Sequence, residues 1–131
     1  MLTMKKPEII NYWKNSAESD FKTMQNLYNS KDYCWCLFVG HLVIEKLLKA
    51  AYVKNNDENV PRTHDLLRLA EKSGVPLDDE KKDTLDIITT FNISARYPDY
   101  KQSFYKKCTE KFAGENIDKI KELKSWLTEL I

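Results

Sequence analysis

Between Asp32 and Lys54 two apolar stripes run at helical spacing, Cys34, Phe38, His41, Leu42 and Leu48 on one and Leu37, Ile44, Leu47 and Ala51 on the other. A helix that is apolar nearly all round has no face to give to water, so it belongs at the centre of a bundle or at a subunit interface. Other segments must cover it. Proline lacks the amide donor that a helix interior needs, which makes Pro7, Pro61, Pro76 and Pro98 boundaries. The polar turn Asn29-Ser30-Lys31-Asp32 divides the long first block.

Five helices follow from these divisions. The first, about Pro7 to Tyr28, places Ile10, Trp13, Ala17, Phe21, Met24 and Tyr28 on one stripe. The second is the apolar segment itself. The third is short, with Thr63 as its N-cap, Leu66, Leu67, Leu69 and Ala70 inside, and Ser73-Gly74 then Pro76 as its stop. The fourth runs from about Asp78 to Ile93, and the fifth starts at Thr109 and buries Ala113, Ile117, Ile120, Leu123, Leu127 and Leu130. Gly114 interrupts that last pattern and weakens it by about 1 kcal/mol relative to Ala. Residues 96–108 carry no clear period. The 131 residues suit one all-α domain spanning 1–131, and a chain with only 3 glycines has few sites for tight hairpins.

A formal net charge of +1 gives no overall field to hold a polyanion, which argues against a general DNA-coating role. The apolar run from Cys34 to Ala51 is broken by His41, Glu45, Lys46 and Lys49, too polar for a membrane span, and the N-terminus lacks a secretory pattern. Three cysteines, Cys34, Cys36 and Cys108, do not make a disulfide framework and fit a reducing cytoplasm. Phosphate loops, HExxH and CxxC are absent, so no cofactor is expected. Cys34 and Cys36 with His41 make a poor metal set, because two residues of helix turn the thiols about 200° apart.

Three places could carry chemistry. His41, Glu45 and Lys49 stand at i, i+4 and i+8, one face of the second helix. They form either a polar site inside the bundle or a paired layer that fixes packing and dimer register. Lys46 and Lys54 are expected to reach solvent. In Thr63-His64-Asp65-Leu66, Thr63 and Asp65 suit a helix start, and His64 either serves a ligand or is tied to nearby backbone. Ala95-Arg96-Tyr97-Pro98 is the most ligand-like spot, since arginine offers five donors to phosphate and tyrosine a stacking face. The structural alternative has Arg96 on the helix's last carbonyls and Tyr97 packed beside Pro98. Asp99, Tyr100, Lys101, Tyr105, Lys106 and Lys107 extend an aromatic and basic neighbourhood.

These pieces occur in an order that resembles the HEPN domain. The matching residues are Trp13, Ala17 and Asp20-Phe21, then Asp32-Tyr33-Cys34, then His41-Leu42-Val43-Ile44-Glu45-Lys46-Leu47-Leu48-Lys49-Ala50. Pro61-Arg62-Thr63-His64-Asp65-Leu66, Ala95-Arg96-Tyr97-Pro98 and a terminal helix carrying Trp126 complete it. The resemblance implies an up-and-down helical bundle, commonly a homodimer, and a minimal nucleotidyltransferase as partner in a two-component, toxin–antitoxin-like pair. Many such proteins are metal-independent endoribonucleases with an Arg-x(4–6)-His motif. That motif is absent here, because His41 and His64 both precede Arg96. The resemblance therefore implies binding of a nucleotide or RNA at Arg96 and Tyr97, with His64, Asp65 and Lys49 as neighbours, and leans away from an enzyme. The alternatives are a divergent ribonuclease using Arg96 with His64 or Tyr97, and a structural dimeric subunit whose second helix meets its partner through Leu47.

Overall fold

A computed structural model of the chain describes residues 5–97 and 102–131, all of its regular structure helical. The order is α1 (Lys6–Asn29), α2 (Tyr33–Asn55), α3 (Leu66–Ser73), α4 (Asp79–Arg96), α5 (Ser103–Lys107) and α6 (Glu110–Leu130). The apolar α2 is the centre, with α1, α3, α4 and α6 packed around it. Leu37, Ile44, Leu48, Ala51 and Val53 are fully or almost fully buried, from both of its stripes. No helix among the described residues is long and apolar enough to cross a membrane.

The turn between α1 and α2 forms because the chain reverses through Lys31, held at φ 67°. Lys31 N–H donates to Tyr28 O at 3.1 Å and Asp32 N–H to Leu27 O at 2.8 Å, which satisfies the last carbonyls of α1 in a Schellman arrangement. Gly40 of α2 faces Met24 of α1 and Ile120 of α6. A Cβ there would lie 2.5 Å from Ile120 Cδ1 and 3.1 Å from Met24 Sδ, so the absent side chain lets α1, α2 and α6 meet.

Three expectations are corrected. The N-cap of α3 is Asp65, whose carboxylate accepts from Arg68 N–H at 3.2 Å. Thr63 instead stabilises the approach, its hydroxyl accepting from Asp65 N–H at 3.1 Å. Between α4 and α6 lies an additional one-turn helix, α5, too short to show a period. Its Phe104 packs against Phe91 with ring centroids 5.8 Å apart. Leu47 is buried within the chain's own core, so it is unavailable to a partner. Elsewhere α4 continues one turn beyond Ile93, and α6 runs unbroken through Gly114 from its Thr109 cap.

Candidate functional site

The polar residues of α2 meet the segment that leads into α3. His41 is fully buried and donates Nε2–H to the His64 carbonyl at 3.0 Å, while its Nδ1 has no partner. Burial holds the His41 imidazole below its ordinary value, so the ring is neutral. Glu45, one turn on and 3% exposed, accepts from His64 Nδ1 at 2.6 Å through Oε1 and from Lys49 Nζ at 3.3 Å through Oε2. Lys49 in turn lies over the Trp13 ring, 4.8 Å from its centroid. The His64 side chain is 60% exposed. A buried carboxylate thus holds an exposed imidazole, an arrangement that orients a ring for proton transfer.

The spacing of His41, Glu45 and Lys49 indicates their shared face, but nothing in it indicates His64, which arrives from a different segment. Asp65 spends its carboxylate on the α3 cap. Lys54 does reach the surface and donates to Leu130 O at 2.9 Å. Lys46 does not stand free in solvent; it is half-buried against Asp20 at 2.6 Å, because α1 covers that face of α2.

Arg96 and Tyr97 end α4 at a second position on α2. Arg96 Nη1 donates to Asn92 Oδ1 at 3.3 Å and Nη2 to the Tyr97 hydroxyl at 3.0 Å, and the guanidinium lies over the Phe38 and Tyr97 rings. The side chain is therefore braced by side-chain and ring contacts rather than by the last carbonyls of its helix. Beside it opens a cleft of about 440 Å³, with Trp35 and Tyr105 on its walls. Trp35, Tyr97 and Tyr105 are 51%, 62% and 68% exposed. The sequence reading missed Trp35, which lies on neither of the two apolar stripes of α2. Pro98, Asp99, Tyr100 and Lys101 lie outside the described residues.

Phe38 and Glu45 are seven residues apart, so the Arg96 and His64 positions stand about 10 Å apart along α2. No hydrogen bond or ion pair among the described residues joins them. At the cleft, Cys34 lies against Cys108. Cys36 is buried, donates its thiol to Met24 O at 3.3 Å and is pushed up to about 12 by burial, and Cys108 is pushed up by the same cause. Such thiols are inert small hydrophobes at neutral pH. Among the described residues no three His, Cys, Asp or Glu side chains are grouped to hold a metal.

The sequence matches the HEPN domain over residues 10–130, and so across the central helix and both polar positions. The chain belongs to the HEPN domain family. This HEPN domain is similar in structure to TT1696 from Thermus thermophilus, with a TM-score of 0.80 at 17% identity. The match covers 93% of this chain and 98% of that one, and at this identity the likeness is one of fold. No curated protein matches the chain. The fold expectation, an all-α HEPN bundle, holds.

Proposed function

We propose that this HEPN domain binds a nucleotide or single-stranded RNA on the face where α4 ends against α2, and serves in the cytoplasm as a homodimeric partner subunit of a minimal nucleotidyltransferase, in a toxin–antitoxin-like pair. The observation that carries the binding reading is Arg96, an exposed guanidinium braced by Asn92 and Tyr97 at the edge of a cleft flanked by Trp35 and Tyr105. Aromatic faces stack bases and a braced arginine holds phosphate. The nucleotidyltransferase partnership is drawn from the family's habit. In calorimetric titration with ATP and with a short single-stranded RNA at two salt concentrations, wild type binds and Arg96→Ala binds more weakly. The RNA salt slope falls by about 1 in the variant if Arg96 meets one phosphate. Absence of binding by wild type overturns the reading.

A divergent, metal-independent ribonuclease is favoured by one observation, the Glu45 carboxylate behind His64. In that reading Arg96 holds a flanking phosphate of the bound RNA, and His64, about 10 Å further along α2, moves the proton of the ribose 2′-hydroxyl. Purified protein would then cleave RNA, and both Arg96→Ala and His64→Gln would lose the cleavage; intact RNA after incubation with wild type rules it out.

A further inference from the structure

Glu45 is an acceptor with no solvent to serve it, and its two oxygens are divided between His64 Nδ1 at 2.6 Å and Lys49 Nζ at 3.3 Å. An ionised carboxylate has no proton to give, so the hydrogen in the shorter contact belongs to His64 Nδ1. A neutral imidazole carries one N–H, which leaves Nε2 with its lone pair on a ring whose side chain is 60% exposed. The His64 backbone is held separately, its carbonyl taking the Nε2–H of His41 at 3.0 Å. The same reasoning gives the two histidines opposite tautomers.

We propose that Glu45 and His41 are positioning residues that hold His64 as a proton acceptor, with Nε2 presented to a substrate lying along α2. Glu45 fixes the tautomer, and His41 fixes the backbone from which the ring projects. When a substrate hydroxyl gives its proton to Nε2, the O–H bond breaks, the N–H bond forms, and the imidazolium charge is met by Glu45. Lys49 opposes that charge and limits it, having already drawn one carboxylate oxygen to itself. The dyad is independent of which ligand is held. Its substrate, a phosphate-bearing molecule with a free hydroxyl, rests on the binding reading above.

The chain has 2 histidines, so nitrogen-15 labelling of histidine in the full protein gives two ring patterns, assigned with His64→Gln. At mildly alkaline pH, long-range proton–nitrogen spectra should place His64 in the Nδ1–H form and His41 in the Nε2–H form. Glu45→Leu should convert His64 to a mixture dominated by Nε2–H, while an unchanged His41 pattern reports an intact fold. Glu45→Gln, whose amide oxygen still accepts, should retain the wild-type tautomer. Reactivity separates positioning from mere packing. Diethyl pyrocarbonate acylates an imidazole when Nε2 attacks its carbonyl, a C–O bond breaks and ethyl carbonate leaves, with the Nδ1 proton passing to Glu45 or solvent. Acylation of His64 should slow several-fold in Glu45→Leu and recover in Glu45→Gln. An Nε2–H form of His64 in wild type overturns the proposal, and so does a His64 acylation rate unmoved in Glu45→Leu. If Glu45→Leu does not fold, the wild-type tautomers and the Glu45→Gln rate decide. Both readouts use protein without RNA or nucleotide, so failure of binding at Arg96 leaves them standing and the converse also holds.

Discussion

His41 is a titratable side chain wholly enclosed by the bundle. Its imidazole is completely buried, one nitrogen is spent on the His64 carbonyl, and the other is unpartnered. Burial is the largest cause of its lowered proton affinity and outweighs the opposing pull of Glu45 and the His64 carbonyl. The unfolded chain therefore binds a proton at a higher pH than the folded chain does. Stability from this residue is complete above the ordinary histidine value of 6.5 and is lost as pH falls below it. Denaturant unfolding followed across that window should show stability declining toward acid, with a shallower decline in His41→Phe. Equal slopes in the two proteins would remove His41 as the cause. Asp78, exposed and held below the usual carboxylate range chiefly by Lys81 N–H, acts in a more acidic window and does not confuse the comparison.

At the scale of single elements, α3 shows how much a short helix depends on its ends. Eight residues are marginal in isolation, so α3 persists through its Asp65 cap, the left-handed Gly74 at φ 80°, and the burial of Leu66, Leu69 and Ala70. Leu66 N–H is also taken up by the Thr89 hydroxyl of α4 at 3.0 Å. Asp65→Ala removes the acceptor for Arg68 N–H and should cost about 1 kcal/mol in chemical denaturation. The segment bearing His64 precedes this cap directly, so the loss should also raise amide exchange at residues 64–68. Unchanged stability would mean that the Asp65 carboxylate serves something other than the helix. The helix ends were readable to within a few residues, because Pro7, Ser73-Gly74, Asp78 and Thr109 are local signals. Choosing Asp65 over Thr63 was not, since both residue types cap and only the approach angle of the chain distinguishes them.

For the molecule as a whole, α2 answers the question its sequence posed. An all-round apolar helix fits a core or an interface, and here four helices cover most of it while leaving Phe38, Val39 and Leu42 half-buried. That strip, near Trp35 and Arg96, is the apolar part of α2 left for a partner to meet, and Leu47 is excluded by its burial. If the homodimer forms there, Leu42→Glu should dissociate it in sedimentation velocity while the helical circular dichroism stays that of wild type. A dimer that persists places the interface elsewhere.

The helical class, the central place of α2, most helix ends and the family were all legible in the order of residues, because periodicity, capping and punctuation act between positions a few residues apart. The shared face of His41, Glu45 and Lys49 was legible for the same reason. Three pairings were not: His64 joins Glu45 across 19 residues, Lys46 is claimed by Asp20, and Arg96 faces Phe38 and Trp35 rather than His64. Those pairings depend on how the loop before α3, the length of α1 and the end of α4 lie against α2. Packing sets that, since a polar group drawn into the bundle must find its partner wherever the fold places one.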